Sequence, residues 1–123
     1  MLSIIIPLRN EIDNLENIKE NFNKKLIDIK FEVIFVNDFS SDRTFQKAKE
    51  IAKENMGFKV FDNKKKGLGG AINLGIEKST GNYICIMMAD LSDDFDDLNN
   101  YYIKINNKNL DAVFGSRFTR ESK

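Results

Sequence analysis

Apolar residues fall along this chain in two alternating patterns: short continuous runs, and longer stretches at helical spacing. Leu2 to Ile6 is a continuous run stopped by Pro7, which predicts a short strand buried on both faces. Leu15, Ile18, Phe22 and Leu26 then recur on one helical face. Asp13 followed by Glu16 has the form of a capping box, and a helix start nearer Asn10 fits as well. Phe31 to Val36 is a second apolar strand. Ser40-Ser41-Asp42 offers N-caps for a helix with Phe45, Ala48 and Ala52 inward. Phe58 to Phe61, after Gly57, is a third strand, and Leu68, Ile72, Gly75 and Ile76 mark the next helix, which Ser79-Thr80-Gly81-Asn82 ends. Tyr83 to Met88 is a fourth strand, Leu98, Tyr101, Tyr102 and Ile105 form another helical face, and Leu110 to Phe114 is a fifth strand stopped by Gly115.

Continuous apolar strands alternating with amphipathic helices predict an α/β fold: a doubly wound, mainly parallel sheet with helices on both faces. All strand C-termini then lie along one edge, where ligands bind in such folds. That edge collects Pro7 to Glu11, Asn37 to Ser41, Asp90 to Asp94 and Gly115 to Arg117. Any doubly wound fold carries polar loops there, so the convergence indicates a site without specifying its ligand. Asp90 is the most informative residue, because the run Tyr83 to Met88 delivers its carboxylate to a strand tip. A carboxylate there can hold a divalent cation, and the cation a diphosphate.

Composition narrows the chemistry. With 123 residues, 41% hydrophobic and 31% charged, the chain has the size and composition of one soluble globular domain. Lys plus Arg number 19 and Asp plus Glu 19, so no overall field recruits nucleic acid or an anionic membrane. The absence of histidine excludes Ser-His-Asp, Cys-His and zinc-histidine schemes. The single cysteine, Cys85, lies in an apolar run and reads as a buried structural thiol. No apolar stretch reaches the roughly 18 residues of a membrane helix, and Met1 to Pro7 lacks a basic leader, so a cytoplasmic location is expected.

Three apparent motifs fail on inspection. Gly67-Leu68-Gly69-Gly70-Ala71-Ile72 opens like a dinucleotide fingerprint, but Ile72 occupies the third glycine's place and the segment follows the third strand. Gly70 and Gly75 have phosphate-loop spacing, but Ile76-Glu77 replaces the Lys-Ser/Thr pair. Asp90 to Tyr101 places Phe95 at an EF-hand's glycine and Tyr101 at its bidentate glutamate.

Other segments hold together as an ordered series. Ser3-Ile4-Ile5-Ile6-Pro7-Leu8-Arg9-Asn10-Glu11 resembles an apolar run followed by Pro-Thr-Tyr-Asn-Glu. Phe35-Val36-Asn37-Asp38-Phe39-Ser40-Ser41-Asp42-Arg43-Thr44 resembles Val-Asp-Asp-Gly-Ser-x-Asp-x-Thr. Lys66-Gly67-Leu68-Gly69-Gly70-Ala71-Ile72-Asn73-Leu74-Gly75 resembles Lys/Arg-Gly-x-Gly-x-Ala-x-Asn-x-Gly. Ala89-Asp90-Leu91-Ser92-Asp93 and Gly115-Ser116-Arg117-Phe118 complete the set. In this order the segments resemble the family-two glycosyltransferases, with the GT-A fold, and within them the polyprenyl-phosphate (dolichol-phosphate mannose-type) branch.

The resemblance implies site residues. It makes Asp38 a base-recognising carboxylate and places Pro7, Arg9, Glu11, Val36, Lys66, Gly69, Met88 and Ala89 with it around the nucleotide. Glu11 is equally a first-turn helix acid, favoured by the dipole. The glycines serve equally as a tight turn entering a helix. Ser40, Ser41 and Asp42 read as caps rather than ligands. Asp90 is implied to bind Mg²⁺ or Mn²⁺ on the diphosphate, with Ser92 a weak second ligand; Met88 stands where many such sites, written Asp-x-Asp, have an acid. Arg117 is implied to face phosphate, with a surface ion pair as the alternative. Asp90 and Arg117 are thus the expected catalytic pair.

The implied activity is inverting transfer of a sugar from a nucleotide-diphosphate sugar to a lipid-phosphate acceptor, with no nucleic acid involved. Residues 1–123 would form one nucleotide-sugar-binding domain, with the acceptor-side part expected beyond Lys123. Membrane contact would then be peripheral or through that further part, at the inner face of the membrane. Two rivals compete. One is a nucleotide-sugar-binding module without turnover, favoured by Met88. The other is a receiver-type regulatory domain, disfavoured because the first strand ends in Pro7-Leu8-Arg9 rather than acids.

Overall fold

The computed structural model describes residues 1–25 and 30–89, together with the strand backbone of 112–113. Five strands, β1 (Leu2–Leu8), β2 (Phe31–Asn37), β3 (Phe58–Asp62), β4 (Tyr83–Ile86) and β5 (Ala112–Val113), form one sheet ordered β3-β2-β1-β4-β5. Every pairing is parallel. Among the described residues three helices, α1 (Ile12–Lys25), α2 (Thr44–Glu54) and α3 (Leu68–Lys78), connect β1 to β2, β2 to β3 and β3 to β4. The predicted doubly wound sheet is therefore present. Leu26, the helical face at Leu98 to Ile105 and the flanks of the fifth strand lie outside the described residues.

The two-residue period of a strand sorts the core onto two faces. Leu2, Ile4, Ile6 and Leu8 of β1, with Val33, Phe35, Phe58 and Cys85, meet Leu15, Ile18 and Phe22 of α1 and Ala48 and Ile51 of α2. Ile5, Ile34 and Val36 meet Ala71 of α3 on the opposite face, with Leu74, Phe61, Ile84 and Ile86 packed around them. Both faces are thus covered, which is why the strands read as continuous apolar runs rather than alternating ones. On the first face, Phe22 packs with its ring centroid 5.5 Å from that of Phe31 and 6.1 Å from that of Phe58. Cys85 is buried, and burial raises its thiol pKa well above the ordinary value, as expected of an inert structural cysteine.

Three local expectations need correction. Asp13 does not cap α1, which already begins at Ile12; Glu16 instead faces Lys19 and Lys47, at 2.5 and 3.2 Å, and ties α1 to α2. The N-cap position of α2 is Arg43, which makes no side-chain cap; of the expected caps, Asp42 accepts from the N–H of Thr44 (2.9 Å), while Ser40 and Ser41 are engaged with the first loop. The inward stripe of α3 is Ala71, Leu74 and Gly75, whereas Leu68 and Ile76 are exposed.

A fourth correction bears on function. Pro7 does not end β1, which runs through it to Leu8 in register with β2. Backbone groups of a strand alternate sides. Leu2 N–H donates to Lys30 and Leu8 C=O accepts from Asp38, both toward β2, while Ile5 C=O accepts from Met87 toward β4. By this alternation Pro7 faces β4, and it has no N–H to offer. Pairing with β4 accordingly stops at Ile5↔Ile86, while pairing with β2 continues to Leu8↔Asn37. The proline leaves one ladder intact and ends the other.

Candidate functional site

Where that ladder stops, β1 and β4 part and a cleft opens. Its volume is about 330 Å³, and it is lined by Pro7, Leu8, Arg9, Glu11, Asp38, Leu68, Met88 and Ala89. The strand order reverses at this point: the chain steps outward from β1 through β2 to β3, then returns to β4 on the other side of β1. Open α/β sheets bind ligands at such a switch point, beyond the strand C-termini. A larger cleft of about 580 Å³ lies between the ends of β3 and α3, lined by residues that include Phe61, Asn63, Lys65 and Lys78. It sits at the sheet's outer edge, and its size alone is a weaker pointer than the switch point.

Two loops make the cleft's rim, and side chains clasp them together. Asn10 adopts a left-handed backbone (φ 56°), which asparagine tolerates better than most residues. Its Oδ1 accepts from the backbone N–H groups of Ser41 (2.8 Å) and Asp42 (3.3 Å) and from Ser41 Oγ (3.2 Å), and its own N–H donates to Ser40 Oγ (3.1 Å). Glu11 N–H donates to Thr44 Oγ1 (2.9 Å), and that buried hydroxyl donates to Asp42. The Thr44 hydroxyl is the largest cause holding the Asp42 carboxyl below its ordinary pKa, with backbone N–H groups, Ile12 among them, adding to it. The serines and Asp42 thus fasten the β2–α2 loop to the β1–α1 loop.

Asp38 follows β2 and is only 5% exposed. Its Oδ1 accepts from Asn63 Nδ2 and from Gly67 N–H, both at 3.0 Å. Gly67 has φ 122°, a conformation side chains rarely adopt, and that turn aims its N–H at Asp38. Next to Asp38, Phe39 also has a positive φ (56°), at the position of glycine in the motif it resembles, and it is 47% exposed. Asn37, one residue earlier, donates to Asp62 (3.0 Å), while its buried Oδ1 has no partner among the described residues.

The expected residues divide into three groups. Pro7, Arg9, Glu11, Asp38, Met88 and Ala89 line one cleft, though they come from three strand ends. Val36 is wholly buried in the core on the α3 face, and Lys66 and Gly69 are exposed just outside the cleft lining. Asp90, Ser92 and Arg117 lie outside the described residues. Leu68, which marks the start of a helix in the sequence, also lines the cleft, one turn before Ala71 on the stripe that Gly75 continues. Asn63 carried no recognised signal beyond the liking of asparagine for turns.

Among the described residues, no three of Cys, Asp and Glu gather closely enough to hold a metal ion. The cleft's oxygen donors, Glu11 and Asp38, are of the hard kind that Mg²⁺ and Mn²⁺ take, whereas the Met88 thioether is not. In donor chemistry these two carboxylates suit such a cation; Asp90, the residue after Ala89, lies outside the described residues.

Comparison with known proteins agrees with this geometry. Over 122 residues the chain is 31% identical to a dolichol-phosphate mannosyltransferase of Pyrococcus furiosus, covering 99% of this chain and 34% of that protein. A mannosyltransferase from Pyrobaculum calidifontis, solved with GDP-Man and Mn²⁺, superposes with a TM-score of 0.65 at 23% identity, covering 72% of this chain and 27% of that one. TarS of S. aureus, solved with UDP-GlcNAc, also gives 0.65, at 20% identity over 85% of this chain and 32% of that one. The chain therefore spans about a third or less of these proteins' length, and the superpositions establish the shared GT-A fold. The family model described as Glycosyl transferase family 2 matches residues 3–123. With the ordered motifs converging on a switch-point cleft and the match running nearly end to end, the chain belongs to glycosyl transferase family 2.

Proposed function

We propose that residues 1–123 form the nucleotide-sugar-binding domain of an inverting glycosyltransferase whose acceptor is a polyprenyl-type lipid phosphate. The observation that carries this reading is the cleft at the switch point, opened by Pro7 and lined by Asp38, Glu11, Met88 and Ala89. It lies at the strand tips beside which Asp90 follows in sequence. The likeness to the Pyrococcus furiosus dolichol-phosphate mannosyltransferase supports the acceptor class.

In this reading Asp38 accepts an N–H of the nucleobase, and Glu11 accepts from the ribose. Pro7 and Val36 give the neighbouring strand tips their shape, and Arg9, Lys66 and Gly69 border the nucleotide from the loops. Met88 and Ala89 pass beneath the diphosphate, and Asp90, with Ser92 as a weaker donor, would hold Mg²⁺ or Mn²⁺. Such a cation, when bound, offsets the charge on the departing diphosphate. Arg117 presents a planar fork suited to phosphate. A lipid phosphate is already ionised near neutral pH, so its oxygen attacks the anomeric carbon without a general base. The new bond forms opposite the breaking carbon–oxygen bond, the diphosphate leaves with that electron pair, and the configuration inverts. No helix among the described residues is long and apolar enough to cross a membrane.

Calorimetry with UDP- and GDP-sugars, with and without Mn²⁺, tests the reading, together with an assay of product on a polyprenyl phosphate. One nucleobase should be preferred, Mn²⁺ should tighten binding, and Asp90→Ala should weaken the Mn²⁺-dependent affinity about tenfold or more. Binding that ignores both Mn²⁺ and Asp90→Ala would contradict it, as would product that retains the donor's configuration.

A further inference from the structure

Asn63 is buried, 4% exposed, just past the end of β3, and its side chain joins the Asp38 carboxylate to the backbone of the turn that follows β3. Its amide nitrogen lies 3.0 Å from Asp38 Oδ1, 2.5 Å from Lys65 C=O and 3.4 Å from Gly67 C=O. An amide has two hydrogens, so Asp38 and Lys65 take them, and the longest contact is marginal. Its Oδ1 accepts from Lys65 N–H (3.2 Å), and its own backbone N–H donates to Asn37 C=O (2.8 Å), one residue before Asp38. Gly67 N–H closes the ring onto the same Asp38 oxygen.

Both side-chain bonds that Asp38 accepts, from Asn63 and from Gly67, fall on Oδ1. The second oxygen, Oδ2, makes no hydrogen bond among the described residues, and Asp38 lines the switch-point cleft. Lys66 lies in sequence between Lys65, which Asn63 binds, and Gly67, whose N–H binds Asp38 Oδ1. We propose that Asn63 is a positioning residue for donor recognition: it locks Asp38 through Oδ1 so that Oδ2 is presented to the nucleobase, and it fixes the turn that carries Lys66. The inference rests on the reading of the cleft as a nucleotide site. It adds that discrimination between bases depends on an amide that never touches the donor.

The test titrates UDP and GDP into the wild type and into Asn63→Ala, Asn63→Ser, Asp38→Ala and the Asp38→Ala/Asn63→Ala double variant, with a thermal unfolding curve for each. The wild type should prefer one nucleotide. Asn63→Ala should weaken the preferred one by about tenfold and leave the other nearly unchanged, collapsing the ratio. In the Asp38→Ala background, removing Asn63 should cost no further affinity, because its effect acts through that carboxylate. If Asn63→Ala fails to fold, Asn63→Ser carries the same comparison. A lower unfolding midpoint with an unchanged UDP-to-GDP ratio would overturn the proposal and leave the nucleotide site standing. Additive losses in the double variant would overturn it as well. A wild type that binds neither nucleotide would remove the site itself, and the proposal with it.

Discussion

Glu32 shows how a single buried carboxylate is held in place at the sheet end away from the cleft. It is 2% exposed and accepts from Ser3 Oγ (2.5 Å), Thr80 N–H (2.6 Å), Thr80 Oγ1 (3.0 Å) and Lys59 Nζ (2.7 Å). Burial on its own would raise its pKa, but the bonds from Lys59, Ser3 and Thr80 outweigh burial and bring it from 4.5 down to about 2. A carboxyl whose pKa is lower folded than unfolded stabilises the fold above the unfolded value, and loses that contribution as pH falls through the folded one. The shift corresponds to about 3 kcal/mol, present above about pH 4.5 and lost between there and about pH 2. Glu32→Gln should therefore lower stability near neutral pH by about 2–3 kcal/mol. It should also flatten the dependence between pH 5 and 2, as read by denaturant unfolding across that range. A variant with the wild-type slope in that window would show that the cluster does not hold the carboxylate in its charged form. Phe39 is the counterexample among single residues: its left-handed backbone costs on the order of 1–3 kcal/mol, and no described bond of its side chain explains it.

Among the elements, α3 packs closely on β1 at Gly75, and two of its glycines separate the causes. A Cβ at Gly75 would sit 2.4 Å from Ile5 Cγ2 and 3.1 Å from Ile5 Cγ1, in a buried branched side chain that has no room to retreat. A Cβ at Gly69 would meet nothing within 4 Å. Helix propensity favours alanine at both by about 1 kcal/mol, while overpacking costs about 1–3 kcal/mol where the space is filled. Gly75→Ala should therefore destabilise by up to about 2 kcal/mol, and Gly69→Ala should stabilise by up to about 1 kcal/mol, measured by denaturant unfolding. Equal effects at the two positions would contradict this packing of α3 on β1. The elements themselves were legible because buried parallel strands and amphipathic helices write different periods into the sequence. What periodicity missed is what it does not encode. It marked Leu68 as a helix residue and not as part of the cleft lining. It stopped β1 at Pro7 because a missing N–H looks like a strand end, when here it ends only the ladder to β4.

For the whole molecule, the sheet order decides function. Loops more than 70 residues apart in sequence, at Pro7 to Glu11 and at Met88 to Ala89, meet because β4 returns beside β1. The convergence of strand tips was readable from alternating strands and helices, and the identity of the cleft-lining residues Pro7, Glu11 and Asp38 from their motifs. The clasp of Asn10 on Ser41 and Asp42, and the hold of Asn63 on Asp38, were not readable, because side-chain bonds between loops leave no periodic trace. The central claim is that a nucleotide binds in the cleft between β1 and β4 rather than in the larger one beside β3. Amide shifts of the isotope-labelled chain during titration with GDP and with UDP test it directly. Perturbations centred on Leu8, Arg9, Glu11, Asp38, Leu68 and Ala89 are predicted. Shifts confined to Phe61, Lys64, Asn73 and Lys78, or no saturable shifts with either nucleotide, would contradict it.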